Sequence, residues 1–218
     1  MADQGPTALQ HPRFARFYTA ISTRAEAHGG AAHRARLLQG LTGTVIEVGA
    51  GNGLNFAHYP PQVTQVLAVE PDDILRVHAR RAAQRAPVPV EVVPGHADAL
   101  PAADGSFDAA VTSLVLCTVP DPCHALSEIA RVLRPEGQLR FYEHVRSNTP
   151  ALALVQDLVA PLWARLAGGC RPNHDTAGMI ATSGFIIDDC QRFGFSPCWP
   201  VPRFAHIIGT AHPRGRQR

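Results

Sequence analysis

The chain has 218 residues, of which 45% are hydrophobic and 17% charged, so it carries enough apolar surface to form a folded core. The length favours a single domain, because folded units usually span about 100–200 residues. The formal net charge is only +2 and the basic residues are scattered, which argues against a nucleic-acid-binding surface. Only the tail, with Arg214, Arg216 and Arg218, is locally basic.

The composition excludes further classes of protein and mechanism. All 20 basic side chains are arginine, so no reaction that needs a lysine is available. The five cysteines are odd in number and contain no C-x-x-C pair, which favours free thiols over a disulfide framework or a zinc ribbon. No stretch approaches the roughly 20 apolar residues of a membrane helix, and the N-terminus lacks a signal pattern. We therefore expect a cytoplasmic protein without an integral membrane segment.

The predicted elements alternate short apolar strands with helices, which indicates an α/β fold. An N-terminal cap helix, with Tyr18 among its apolar residues, is predicted over 12–41, with a break at Gly29 and Gly30. Predicted strands follow at 44–48, 65–69, 90–93, 107–112 and 139–144, with a closing pair at 185–190 and 205–210. Further helices are predicted from the acidic cluster at 70–73 to about 85, from 122 to before Pro135, over 151–166, and from Asp175 to near Gly184.

A glycine-rich turn follows the first predicted strand and is expected to open a helix. Its pattern is Glu47-x-Gly49-x-Gly51-x-Gly53, and Glu70 closes the next strand. Glycines let a backbone approach a ligand closely, and an acid at the end of the second strand can accept hydrogen bonds from ribose hydroxyls. These features predict a site for an adenosine nucleoside. A dinucleotide fingerprint would need glycine at position 54, where this chain has leucine, so the sequence disfavours NAD.

An acid two residues before the first glycine resembles the loop of class I S-adenosylmethionine (SAM) methyltransferases. The segments 95–101, 104–108 and 131–137 resemble later motifs of the ubiquinone/menaquinone-type methyltransferases. Within that group, 114–119, 141–145 and Gly169-Cys170 are most similar to the thiol S-methyltransferase family and its bacterial relatives. Two positions depart from the pattern: His96 stands where many relatives carry an acid, and Glu136 replaces a glycine of the proline loop.

The resemblance implies a Rossmann-like three-layer sandwich, with a seven-stranded, mostly parallel sheet that contains one antiparallel strand. It divides a single methyltransferase domain, 1–218, into the cap helix (12–41), a SAM-binding core (44–143), an acceptor lid (150–184) and closing strands (185–211). SAM would be the cofactor and S-adenosylhomocysteine the product.

The resemblance also assigns the cofactor contacts residue by residue. Glu47 would organise the loop near the methionine amino group, and the glycines would hold the methionyl part. Tyr18 would close over the cofactor, unless it only packs in the core. The other implied contacts are Glu70 and Pro71 at the ribose, and Ala97, Asp98, Ser113 and Leu114 at the adenine and sulfonium side.

Two residues at the predicted strand ends are candidates for catalysis. His144 ends the fifth strand, where open sheets place ligands, and is the first candidate base; the alternative is a structural histidine. Cys117 follows the fourth strand and is predicted either to touch the reactants or to be a small buried hydrophobe. Cys170, His174 and Asp175 do not form a recognised zinc spacing, so no metal is expected.

The helix predicted over 151–166 is apolar nearly all round, so it is either core or the roof of an apolar acceptor pocket. Gln156 and Trp163 would line that pocket, or else belong to the core. The favoured acceptor is a small apolar thiol. The alternatives are N- or O-methylation of a lipid, quinone or small metabolite, a SAM-binding module without catalysis, and an NAD-dependent reductase.

Overall fold

The computed structural model describes residue 10, residues 12–197 and residues 203–215. The predictions for Cys198, Arg216 and Arg218 lie outside the described residues. The helices, in chain order, are α1 (Pro12–Ala25), α2 (Ala31–Leu38), α3 (Asp73–Ala83), α4 (Pro122–Val132), α5 (Pro150–Leu166) and α6 (Thr176–Thr182). The strands are β1 (Gly43–Val48), β2 (Val63–Val69), β3 (Val90–Val93), β4 (Phe107–Ser113), β5 (Leu133–His144), β6 (Phe185–Phe195) and β7 (Phe204–Pro213).

The seven strands form one sheet in the order β3-β2-β1-β4-β5-β7-β6. Strands β1 to β5 pair in parallel, whereas β7 runs antiparallel to both β5 and β6. The predicted sheet with one antiparallel strand is therefore confirmed. The carboxyl ends of β1, β4 and β5 are neighbours, so the segments that follow them meet at one edge of the sheet.

Two hydrophobic clusters cover the two faces of the sheet, since successive strand residues point in opposite directions. Val45 packs in one cluster with Leu37 and Leu38 of α2, while Ile46 packs in the other with Leu126 of α4. Glu47 lies in the same alternation and is as buried as its neighbours, with 1% exposure. A buried acid between two apolar clusters requires hydrogen-bond partners.

The N-terminal helix is broken where the sequence predicts it. A π-helical segment over Glu26–Gly30 joins α1 to α2, and Gly29 inside it adopts a φ of 112°. The helix expected after Gly53 is wrong, because a single 3-10 turn over Phe56–His58 stands in its place. Pro60 and Pro61 follow after Tyr59, and a proline inside a helix removes a backbone donor and clashes with the preceding turn.

Helix α5 presents most of its apolar surface outward, which contradicts a core position for its large side chains. Its buried face consists of Ala153, Gln156 and Ala160. Its exposed side chains are 42–73% accessible, and are Leu152, Leu154, Val155, Leu158, Val159, Leu162 and Leu166. Within the described ranges, no helix has the length and apolar character that a membrane crossing requires.

Candidate active site

The loop after β1 is a glycine turn that brings the backbone close to its surroundings. Gly49, Gly51 and Gly53 all have positive φ, at 68°, 58° and 80°. A Cβ on Gly49 would lie 2.6 Å from Val115 Cγ2, and one on Gly51 would lie 3.3 Å from the Tyr18 ring. Only glycine combines this conformation with this closeness. The loop thus occupies the position and shape predicted for a cofactor cradle.

Glu47, at the end of β1, is hydrogen-bonded inside the loop that follows it. Its carboxylate accepts bonds from Asn55 Nδ2 at 2.9 Å and from the Tyr59 hydroxyl at 2.6 Å. Burial raises the pKa of Glu47 to about 7, although the bonds from Tyr59 and Asn55 and the charge of Arg34 oppose the shift. A cationic group near this carboxylate would restore its ordinary acidity. The position suits an acid that holds the turn beneath a positively charged ligand.

Glu70 closes β2 and joins the glycine turn to the start of α3. One carboxylate oxygen accepts the Gly51 N–H at 2.7 Å, and the other accepts the Asp72 N–H at 2.9 Å. Pro71 lies between them, and the Asp72 side chain caps α3. Burial raises the pKa of Glu70 to about 7 against the effect of these two hydrogen bonds. The Glu70 side chain is buried, with an exposure of 4%.

Arg34 is the residue of this site that sequence reasoning missed. It lies in α2 and is 7% exposed, with hydrogen bonds to Glu26 at 2.7 Å, Asn55 at 2.9 Å and Ser113 at 3.1 Å. One guanidinium therefore links the cap helices, the glycine-loop segment and the end of β4. Its charge also acts on Tyr18. An arginine in a polar helix is usually exposed, so the sequence carried no signal for this role.

The residues predicted at the adenine and sulfonium side lie in two loops. Leu114 has a φ of 63°, the only positive value among the non-glycine residues that the structure describes, so the Ser113-Leu114 turn is strained. The Leu114 N–H is bonded to the Tyr142 carbonyl at 2.7 Å. In the other loop, Ala97 packs against the core and the Asp98 side chain is exposed.

Cys117 and His144 meet at the carboxyl ends of β4 and β5, and Cys170 joins them from the segment after α5. The Nδ1 atom of His144 lies 3.4 Å from Cys117 Sγ and 3.5 Å from Cys170 Sγ, and the two sulfurs are 3.8 Å apart. Both cysteines are buried. The sequence singled out His144 and Cys117 but placed Cys170 with His174 and Asp175, which do not belong to this cluster.

The three side chains of this cluster shift one another's pKa values. The hydrogen bond from Cys117 lowers the pKa of Cys170 well below its ordinary value, and the nearby His144 imidazole acts in the same direction. Burial would lower the pKa of His144, but Cys170 and Glu143 outweigh it, so the net shift is upward. The pKa of the Cys117 thiol shifts upward, because its hydrogen bond with Cys170 and its burial both raise it. The contact between Cys170 and His144 therefore lowers the pKa of the thiol and raises that of the imidazole.

Aromatic rings and a buried acid surround this cluster. Phe204 lies 5.8 Å from the His144 ring, and the Trp163 ring lies 5.1 Å from Phe204. Glu143 is fully buried and accepts the Cys117 N–H at 3.2 Å. The Gln156 side chain is not free to contact a ligand, because its amide is hydrogen-bonded to three backbone groups, at Val145, Ser147 and Pro172.

Comparison with known proteins agrees with this geometry. A family model described as a methyltransferase domain matches residues 46–141. The human thiol S-methyltransferase TMT1B is 33% identical over 184 residues, which cover 80% of this chain and 74% of that protein. The ubiquinone/menaquinone biosynthesis C-methyltransferase UbiE of Methylobacterium nodulans is 32% identical over 149 residues, covering 65% of this chain and 53% of that protein.

A solved SAM-dependent methyltransferase of Thermotoga maritima shares the fold. Its TM-score is 0.69 at 24% identity, with 91% of this chain and 96% of that chain covered. This chain thus has methyltransferase relatives along most of its length. It also has the glycine turn after β1, the acid after β2 and the single antiparallel strand. The chain belongs to the class I SAM-dependent methyltransferases, in the group that contains the thiol S-methyltransferases.

Proposed function

We propose that this enzyme transfers the methyl group of SAM to the sulfur of a small apolar thiol. The observation that carries the proposal is the 33% identity to TMT1B over 80% of the chain. Methyl transfer from a sulfonium is an in-line displacement, and the thiolate is the nucleophilic form of a thiol. An enzyme for this reaction must therefore hold SAM, align the sulfur and favour its ionised state.

The two ends of the site support a division of these tasks. On the cofactor side, we assign the methionyl part to the glycine turn, with Glu47 beneath its amino group, and the ribose to Glu70 and Pro71. Tyr18 lies against the turn and would cover the bound cofactor. We assign the adenine and sulfonium side of SAM to Ala97, Asp98, Ser113 and Leu114.

On the acceptor side, we assign the thiol to the edge of β4 and β5, next to His144 and Cys117. The His144 imidazole there has a raised pKa and is flanked by aromatic rings. The imidazole would polarise the sulfur of an apolar thiol, and the aromatic rings would contact its apolar part. The region 150–184 would form the lid over this acceptor. From its helix α5, Trp163 lies 5.1 Å from Phe204, which in turn flanks the His144 ring.

The test is formation of S-adenosylhomocysteine from SAM with a series of alkyl thiols of increasing chain length. We expect turnover that grows as the thiol becomes more apolar, and a fall in turnover in Glu70→Gln when the SAM concentration is below saturation. The matched control is Glu91→Gln, which alters an exposed glutamate on β3. Thiols that give no product above background, in a protein that binds SAM, would refute the proposal.

The relationship to UbiE favours a second candidate, in which a quinone, lipid or other small metabolite accepts the methyl group. Parallel assays with amines, phenols and quinones separate the two candidates by their turnover. SAM binding without turnover on any acceptor would instead indicate a binding module. The cytoplasmic location stays a prediction.

A further inference from the structure

The Cys117, His144 and Cys170 cluster has the dimensions of a metal site. All three potential ligand atoms lie within 4.8 Å of one another. The sulfurs are 3.8 Å apart, and each lies 3.4 or 3.5 Å from His144 Nδ1. Tetrahedral zinc, with bonds of about 2.3 Å to sulfur and about 2.05 Å to nitrogen, separates two sulfurs by about 3.8 Å and sulfur from nitrogen by about 3.6 Å. The observed triangle matches one face of that tetrahedron.

We propose that Cys117, Cys170 and His144 Nδ1 bind one Zn²⁺, and that the fourth position receives the sulfur of the acceptor thiol. Two thiolates and an imidazole form a donor set that suits zinc. Catalytic zinc sites in proteins keep three protein ligands and one open position. No fourth histidine, cysteine or acid joins the cluster in the part of the chain that the structure describes.

Backbone contacts hold the three ligands in place. The Arg171 N–H donates to the Cys117 carbonyl at 2.6 Å, which fastens the Cys170 segment to the loop after β4. Gly169 lies so close to that loop that a Cβ there would be 2.9 Å from the Thr118 carbonyl oxygen. Glu143 fixes the Cys117 backbone, and His144 is the last residue of β5. Ligands on such supports are preorganised for a metal ion.

This inference deepens the proposed function and rests on it. The acceptor thiol would lose its proton to solvent on binding zinc. The sulfur would then attack the methyl carbon of SAM, forming an S–CH₃ bond while the carbon–sulfonium bond breaks. The bonding pair stays on the departing sulfur as S-adenosylhomocysteine, and the neutral thioether, a weaker ligand, leaves the zinc. In this arrangement His144 is a ligand and not the general base that the sequence predicts.

The first experiment measures the zinc content of full-length, untagged protein purified without chelators. We expect one zinc per chain by inductively coupled plasma mass spectrometry. Zinc should fall by roughly tenfold or more in Cys117→Ser and in Cys170→Ser. It should be unchanged in Cys123→Ser and Cys190→Ser, which alter exposed cysteines. Calorimetric SAM binding identifies variants that still fold, and only those variants are compared.

A second measurement uses Co²⁺ in place of zinc. The substituted protein should show the visible bands of tetrahedral cobalt and a thiolate charge-transfer band, and an alkyl thiol, but not the matching alcohol, should strengthen the latter. Protein that binds SAM yet takes up neither zinc nor cobalt at these residues overturns the inference.

The two proposals fail in different ways. Thiol methylation by metal-free protein would refute the zinc site and leave the proposed function standing. Zinc on these three residues without methylation of any thiol would refute the proposed function and the place of the acceptor on zinc.

Discussion

Replacement of Glu70 by glutamine should weaken SAM binding and change its pH dependence. The carboxylate holds the Gly51 and Asp72 N–H groups and would accept the ribose hydroxyls as well. Glutamine keeps the shape but turns one oxygen into a donor, which then faces a backbone N–H. Hydrogen bonds to charged groups contribute about 1.5–3 kcal/mol, so we expect Kd to rise by about 10- to 100-fold.

The pH dependence follows from the raised pKa of Glu70, which is about 7 in the unliganded protein. Ribose hydroxyls donate to the ionised form, so binding lowers this pKa and releases protons. With a pKa of about 7, the ionised fraction rises about tenfold between pH 6 and pH 8, and the affinity for SAM should rise with it. In Glu70→Gln this part of the dependence should disappear.

Isothermal titration of wild type, Glu70→Gln and the control Glu91→Gln at pH 6, 7 and 8 makes the comparison. Buffers of different ionisation enthalpy report the protons released at pH 7. The reasoning is wrong if Glu70→Gln binds SAM within twofold of wild type, or if it keeps the full pH dependence of the wild type.

Three further predictions concern the cap helix, the glycine turn and the buried acid. Arg34→Met should lower the free energy of unfolding by about 3 kcal/mol, because it leaves the buried partners of the guanidinium without a hydrogen bond. Arg36→Met on the exposed face should lower it by less than about 0.5 kcal/mol, and urea unfolding measures both. Gly49→Ala should abolish SAM binding in calorimetry, since the turn has no room for a methyl group; retained affinity would contradict the cradle. Glu47 has a raised pKa of about 7, so the folded state loses stability as pH rises toward that value. This loss takes place between the ordinary glutamate pKa of 4.5 and the raised value of about 7, so the Tm of unliganded protein should fall from pH 5 to pH 7.5 and Glu47→Gln should flatten the fall; an equal fall in the variant would refute the assignment.

The sequence predicted the sheet well, because its strands are short β-branched runs bounded by glycine, proline and acids. The seven-stranded sheet with one antiparallel strand came from the resemblance, since local patterns do not fix pairing. The helix expected after Gly53 failed because nearby prolines end the segment in one turn. Local sequence thus predicted elements better than it predicted their boundaries.

The acceptor side was only partly predictable. His144 and Cys117 could be predicted as site residues because they lie at strand ends. Cys170 is 53 positions from Cys117, and only the tertiary fold brings the two into contact. Arg34 was missed for a related reason: its buried partners come from distant segments. Contacts between loops of a sheet edge leave no periodic signal in the chain.

The central claim is that the turn after β1, with Glu70, binds SAM. Isothermal titration of the purified protein with SAM, S-adenosylhomocysteine and NAD tests it most directly. We predict one site per chain for SAM and for S-adenosylhomocysteine, and no heat of binding for NAD. Binding of NAD in place of SAM, or the absence of SAM binding by folded protein, would contradict the account.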